Sequence, residues 1–248
     1  RGAREHNLCG DEVRLPLGQL VAVSGPSGSG KSTLVVDVLY RAVARALGDF
    51  DVGRPGEHDA LEGAEALESV ALVDQAPLGR TSRGNPATYT KAWDAVRKLF
   101  AAEPEAQARD LDASSFSFNV DAGRCEACAG EGFETVEMQF LADVALPCPV
   151  CKGRRFKETV LGVRHRGRTI ADVLETTVEE ALELWADQRA VVRTLGPLRV
   201  LGLGYLKLGQ PLSTLSGGEA QRVKLARALQ EVGPGALYVL DEPSAGLH

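Results

Sequence analysis

A short glycine-rich stretch, Gly25 to Ser32, constrains this chain more than any other feature. It reads Gly-Pro-Ser-Gly-Ser-Gly-Lys-Ser. The apolar run Leu20 to Val23 precedes it, and Thr33 comes after it, followed by Leu34 to Leu39, an apolar run broken only by Asp37. The order strand, glycine-rich turn, helix is what a phosphate-binding loop requires. Gly25, Gly28 and Gly30 let the backbone turn its N–H groups inward, and the helix adds the positive end of its dipole. In such a loop Lys31 reaches the β- and γ-phosphates of a nucleotide, the Ser32 hydroxyl ligates Mg²⁺, and Thr33 opens the helix beside them.

The remaining elements follow from periodicity. Val13, Leu15 and Leu17 alternate like a strand leading into the core, and Leu20 to Val23 reads as a buried strand. A helix is predicted from about Lys31 to Leu47, ended by Gly48. Val70 to Val73 reads as a second buried strand delivering Asp74 and Gln75. Arg80 and Arg83 fall in a loop from Pro77 to Pro86. Thr88 to Ala102 has helical spacing, with Trp93, Val96, Leu99 and Phe100 on one face. Phe116, Phe118 and Val120 alternate like a strand, and Val160 to Ile170 reads as a hairpin turning near Arg166-Gly167. Thr177 with Glu180, and Ser216 with Glu219, have the spacing of capping boxes. The first opens a helix from Val178 to Ala186. The second opens one in which Val223, Ala226 and Leu229 face inward. Ala236 to Leu240 is a buried strand ending in Asp241 and Glu242. With the phosphate loop upstream, Asp241 is placed to hold the Mg²⁺ shell, Glu242 to orient or deprotonate water, and Gln75 to sense the metal and the γ-phosphate.

Two cysteine pairs, Cys125 with Cys128 and Cys148 with Cys151, stand nineteen residues apart, and each is followed by a glycine, Gly130 and Gly153. Four thiolates so spaced suit a tetrahedral, structural Zn²⁺, with a disulfide pair or an iron–sulfur cluster as competing readings. A reducing compartment disfavours the disulfides. Cys9 is left over and reads as a small buried residue. Beyond the second pair, Lys152, Arg154, Arg155, Lys157, Arg164, Arg166 and Arg168 face a single acid, Glu158, a net +6 over seventeen residues in a chain whose net charge is −6. Such a run is a solvated basic face by default. Beside a zinc module it can also grip a phosphate backbone, with salt-dependent affinity.

At 248 residues and 44% hydrophobic, the chain has room for a large domain or two modest ones. No segment is long and apolar enough to span a membrane and no signal-like region opens the chain, which places it in the cytoplasm. It begins at Arg1 and stops directly after a motif, so it reads as a piece of something longer.

In their order, Gly25 to Ser32 looks like a Walker A motif, Gln75 like a Q-loop, Leu215 to Glu219 like an ABC signature and Leu237 to Glu242 like Walker B. Together they resemble an ABC-type ATPase. That likeness implies that ATP is clamped between one module's phosphate loop and another's signature, so that Ser216, Gly217 and Gly218 serve a nucleotide held mainly elsewhere. The 185 positions from Lys31 to Ser216 require an inserted domain. Further stretches extend the likeness: Arg54-Pro-Gly-Glu-His58, Asp74-Gln-Ala-Pro-Leu-Gly-Arg80, Asn85-Pro-Ala-Thr-Tyr-Thr90, Phe116-Ser-Phe-Asn119, Gly123 to Cys128 and Gly202 to Pro211. With these the chain resembles the UvrA family of the excinuclease ABC system, in its second ATPase half.

The resemblance implies an α/β fold, an ABC-type P-loop core with an inserted α+β signature domain carrying the zinc module. Residues 1–78 form the first part of the core, 79–199 the insertion, and 200–248 the signature and Walker B part. It implies ATP, Mg²⁺ and Zn²⁺ as cofactors, and an ATPase that senses damaged double-stranded DNA in nucleotide excision repair. The parent is expected to be a homodimer that hands DNA to UvrB through its first half. DNA contact is expected from Lys152, Arg154, Arg155, Arg164, Arg166 and Arg168. Ser244-Ala245 and Cys9-Gly10-Asp11 depart from the family pattern and leave room for a UvrA-like paralogue linked to tolerance of DNA-binding drugs. His248 lies too close to Glu242 to be the family's switch histidine. A non-catalytic zinc-stabilised binding module is the rival reading. A transporter component fits the zinc insertion poorly.

Overall fold

In the computed structural model, which describes residues 1–10, 12–78, 83–136 and 144–243, the chain divides into two units. One is Arg1–Ala76 with the stretch from Ala228 onward; the other is Pro77–Arg227. Arg80, Asp11, Ser244, Ala245 and His248 lie outside the described residues.

In the first unit the helix after the glycine-rich loop runs where the sequence predicts, but not uniformly. Thr33–Tyr40 is wound wide, in π-helical turns, and Arg41–Ala46 (α1) is a regular α-helix. The β-branched Val35, Val36 and Val38 are poorly suited to regular turns, and wide turns gather next to functional loops. Gly48, at φ +92°, ends the helix. Its N–H donates to Arg45 O and that of Asp49 to Ala44 O, at 3.1 and 2.9 Å. Strand β1 (Ser69–Val73) pairs in parallel with strand Ala236–Leu240, in a register that sets Ser69 opposite Ala236 and Val73 opposite Leu240.

Two expected strands do not form. Residues 12–23 make no ladder with the sheet, and Leu20, Val21 and Val23 are exposed to 95, 41 and 43%. A strand buried on both faces needs a paired neighbour and a layer on each side. Among the described residues this unit's parallel ladder has two strands, β1 and its partner.

The second unit is helical around an apolar core. Asn85 caps α2 (Pro86–Tyr89) through a complete box with Thr88. Lys91, at φ +63°, separates it from α3 (Ala92–Ala101), so the predicted single helix is two. Trp93, Val96 and Phe100 are buried as expected, and Leu99 packs partly against the same core. After α4 (Pro104–Ala108) the chain turns through Phe116 and Phe118. Both are fully buried, but they sit in turns and not in a strand, and Val120 is exposed. Their alternation reflects two rings anchoring a turn, with Phe118 5.5 Å from Trp93 and Phe116 5.5 Å from Phe100.

β2 (Phe133–Val136) and β3 (Val144–Pro147) form an antiparallel ribbon. Val160 and Leu161 belong to a short helix, α5 (Glu158–Leu161), so the predicted hairpin is shorter: β4 (Arg164–His165) and β5 (Arg168–Thr169). Arg166 and Gly167, at φ +51° and +79°, make its two-residue turn, as this type of hairpin requires. Helices α6 (Ile170–Glu175) and α7 (Val178–Leu184) open with capping boxes at Thr169 and Thr177, and α8 (Arg189–Val200) comes next. The stretch 200–227, grouped by sequence with the ATPase core, packs within this unit. Helix α9 (Gly217–Glu231) buries Val223 and Ala226, whereas Leu229 is exposed, contrary to expectation.

Candidate functional site

Parallel strands deliver the residues after them to the same edge of a sheet, and ligands of open α/β sheets bind at the carboxyl ends of the strands. Here β1 ends at Val73 and its partner at Leu240, directly opposite, and the Asp241 N–H extends the ladder to Val73 O at 3.1 Å. Asp74 and Gln75 therefore emerge beside Asp241 and Glu242. The Gln75 amide donates to Glu242 Oε2 at 2.8 Å, and the Ser32 hydroxyl donates to Asp241 Oδ1 at 3.1 Å. Residues 32 and 241, 209 positions apart, thus meet at the loop.

The loop itself carries Gly28 and Gly30 at φ +78° and +90°. A side chain on Gly30 would come within 3.0 Å of Asn7 Oδ1, and the Asn7 amide donates to Gly28 O at 2.5 Å. Asn7 was not singled out by sequence, because nothing local links it to a loop twenty-one residues away. The Lys31 ammonium lies over the loop, donating to Gly25 O and Pro26 O at 2.9 and 2.7 Å. Glu242 itself sits in the left-handed region, at φ +47°.

The second unit holds the other predicted turn. Ser216 and Glu219 form the expected box. The Ser216 N–H and hydroxyl donate to Glu219 Oε2 at 2.7 and 2.8 Å, and the Glu219 N–H returns to the Ser216 hydroxyl at 3.3 Å. Ser216 and Gly217 are exposed at the head of α9. A residue to which the sequence gave no role of its own joins them: the Tyr205 hydroxyl donates to Glu219 Oε1. Fourteen residues separate the two and Tyr205 lies in no regular element, so no periodicity announces the pair.

Cys125, Cys128, Cys148 and Cys151 converge in the same unit. All four are buried, with their sulfurs within 4.8 Å of one another. Cys128 Sγ lies 3.7 Å from Cys151 Sγ. Sulfurs about 2.3 Å from a tetrahedral zinc stand about 3.8 Å apart, so the donor set fits the metal. Each pair sits on a tight knuckle. The Gly130 N–H donates to Cys125 O at 3.1 Å and the Lys152 N–H to Cys148 O at 2.7 Å, with Gly130, Lys152 and Gly153 at φ +82°, +52° and +84°. The two knuckles also hold each other, through Cys125 N–H to Arg155 O at 2.8 Å and Cys148 N–H to Gly132 O at 3.0 Å. Backbone N–H groups of Gly132 and Arg155 point at the sulfurs of Cys128 and Cys151, at 3.2 and 3.4 Å. Burial pushes the Cys128 thiol up and the Cys151 thiol up to about 12, whereas backbone hydrogen bonds pull Cys148 down. Cys9 is exposed, not buried, and stands outside this cluster.

The basic run divides by geometry. Arg155 is turned inward. Its guanidinium lies 5.4 Å from the Phe118 ring centre and reaches Gly209 O at 3.5 Å, while Nη1 is buried without a hydrogen-bond partner. Burial lowers its pKa, and the inward position of the guanidinium makes it a poor DNA contact. Its backbone is the reason: Arg155, at φ +71°, closes the second knuckle and aims its side chain at the core. Arg154 pairs with Glu158 at 3.1 Å, Arg164 donates to Gly167 O at 2.9 Å, and Arg166 pairs with Asp187 at 2.6 Å. Arg168 is half-buried, and Lys152 is exposed on its knuckle.

Among the described residues no helix is long and apolar enough to cross a membrane. No protein-family model matches the chain. It is similar to UvrABC system protein A of Thermus thermophilus, 54% identical over 249 residues that cover all of this chain and 26% of the relative. The protein of the same name from Micrococcus luteus is 52% identical, with the same full coverage of this chain and 25% of its own length. Among solved structures, the crystal structure of UvrA2 from Deinococcus radiodurans matches with a TM-score of 0.88 and 49% identity, over all of this chain and 31% of that one. The chain spans about a quarter of the length of the curated relatives it matches. Along its whole length, then, this chain is a homologue of part of UvrABC system protein A.

Proposed function

We propose that the chain is the second ATPase half of a UvrA-type protein, an ATP-dependent component that recognises damaged DNA in bacterial nucleotide excision repair. The observation that carries this reading is the meeting of Ser32 with Asp241 and of Gln75 with Glu242 at one sheet edge, in a chain homologous end to end with UvrABC system protein A. On this reading the first unit is an ABC-type P-loop core. Gly25, Gly28, Gly30, Lys31 and Thr33 cradle the nucleotide phosphates, and Ser32 and Asp241 hold Mg²⁺. Glu242, kept in place by Gln75, takes a proton from the attacking water. A bound Mg²⁺ would supply neutralisation of the developing phosphate charge.

Ser216, Gly217 and Gly218 complete a nucleotide site with a second ATPase module, within a homodimer of the intact protein. The four cysteines hold one structural zinc, which needs no open position. The inserted domain addresses double-stranded DNA, with Lys152, Arg154, Arg164, Arg166 and Arg168 as its cationic groups and Arg155 as internal support. Handover to UvrB belongs to the first half of the protein, in the cytoplasm.

A second reading, a UvrA-like paralogue, is favoured by the match to UvrA2 and by Ser244-Ala245. The test is duplex binding by the intact protein, damaged against undamaged, at several salt concentrations with and without ATP. Preference for damaged duplex that changes with ATP is the expected result. Salt-sensitive binding blind to damage would refute the repair reading and leave the paralogue or a simple binding module.

A further inference from the structure

The stretch 201–209 between α8 and α9 has no regular helix or strand, yet it is held along its length. Val178 and Glu179 N–H groups donate to Leu206 O and Gly204 O, both at 2.9 Å. In return the Leu208 and Gly209 N–H groups donate to Thr176 O and Leu174 O, at 2.9 and 2.7 Å. Lys207 pairs with Glu175 at 2.9 Å. From this fixed base two groups grip the first turns of α9: Leu201 O accepts from Arg222 Nη1 at 3.3 Å, and the Tyr205 hydroxyl donates to Glu219 Oε1.

A capping box needs only its serine and its glutamate. The tyrosine is an addition, and the residue is 58% exposed, so core packing does not account for it. What it adds is a third donor on the carboxylate. With Ser216 N–H and hydroxyl on one oxygen and Tyr205 on the other, Glu219 is confined to one orientation. The bond also holds the Glu219 carboxyl below its usual range and raises the Tyr205 phenol.

We propose that Tyr205 is a positioning residue for the turn Ser216 to Gly218: it locks Glu219, which anchors Ser216 through its N–H and hydroxyl, and so holds the backbone of Gly217 and Gly218 in the orientation presented to a nucleotide phosphate. This rests on the reading of that turn as nucleotide-binding and extends it to a residue that the motif does not contain.

The test is Tyr205→Phe in the full-length protein, which removes one hydroxyl from a largely exposed residue. A hydrogen bond to a charged group is worth about a factor of ten or more. The kcat for ATP should therefore fall about tenfold with KM unchanged, because ground-state binding rests on the Lys31 loop. Tyr205→Phe should add nothing to Glu219→Ala, since both act through one carboxylate. A wild-type kcat, or losses that add, would overturn the proposal. Amide exchange resolved at Ser216 and Glu219 tests the lock without turnover: Tyr205→Phe should speed it about tenfold. Unchanged exchange overturns the proposal whatever the kinetics. Faster exchange in a protein whose wild type hydrolyses no ATP supports the lock and refutes the ATPase reading instead.

Discussion

Two glycines of the cysteine knuckles share a backbone conformation and differ in what surrounds them, which makes a controlled comparison. Gly130 and Gly153 have φ of +82° and +84°. Alanine at either position must adopt the left-handed region, at a cost of about 1–2 kcal/mol. At Gly153 that is the whole cost, because the nearest atom to an added Cβ is Gly132 O at 4.0 Å. At Gly130 the added Cβ would lie 2.1 Å from Phe118 O and 3.1 Å from its carbonyl carbon. That is a backbone overlap, and Phe118 cannot retreat because its ring is fully buried against Trp93. The knuckle itself must move, and Cys125 and Cys128 with it.

Metal binding and knuckle folding are one equilibrium in such modules, so strain appears as lost affinity. Gly153→Ala should weaken zinc binding by about 5- to 30-fold, the tenfold-per-1.4 kcal/mol equivalent of the left-handed cost. Gly130→Ala should exceed it by another factor of about 5 to 150, as overpacking typically costs 1–3 kcal/mol more. Competition with a chromophoric chelator, at a fixed pH, reads both constants. Equal losses in the two variants would refute the argument that the Phe118 carbonyl, and not the dihedral alone, sets the requirement for glycine at position 130.

Three further outcomes are expected. Glu242→Gln in the intact protein should retain ATP binding and lose at least about 100-fold in turnover, the low end of what a positioned base contributes, as measured by nucleotide affinity and steady-state hydrolysis. Arg155→Ala should lower the melting temperature and leave the salt dependence of DNA binding unchanged, whereas Lys152→Ala should flatten that dependence and leave melting unchanged; the reverse pattern would exclude the inward role of Arg155. The guanidinium of Arg166 holds the Asp187 carboxyl down, from 3.8 to about 2. A carboxylate depressed in the folded state contributes stability above its unfolded value and loses it as pH falls, so this contribution fades between about pH 4 and pH 2. Arg166→Ala should flatten acid unfolding over that window in a pH-resolved melting series.

Local chemistry made much of the molecule legible. The capping boxes at Thr177 and Ser216, the turn at Arg166-Gly167 and the strand Ala236–Leu240 depend on spacings of a few residues and on the fixed geometry of helices and hairpins. The convergence of the four cysteines was legible because two close pairs have the spacing that ligation of one metal would require. The same local reasoning failed where a pattern has two physical causes. The alternation of Phe116, Phe118 and Val120 describes a strand equally well as a turn anchored by two rings, and only Trp93 and Phe100, from a distant helix, decide between them. The single helix expected over 88–102 is broken at Lys91, whose left-handed φ no propensity forecasts.

The sequence by itself determined which chemistry the chain carries: a glycine-rich loop with lysine and serine, an acidic strand end, a capped glycine turn and four thiolates. Each is a set of residue types whose reactivity and conformational range follow from covalent structure. Only the tertiary structure decided which of them meet. It set Ser32 on Asp241 and Gln75 on Glu242 across 209 and 167 residues, turned Arg155 away from the basic run, placed Tyr205 on Glu219, and left Leu20 to Val23 unpaired and exposed. The physical reason is that parallel strand register, backbone handedness at single residues and burial are long-range properties, settled by what the rest of the fold supplies and not by the residues nearby.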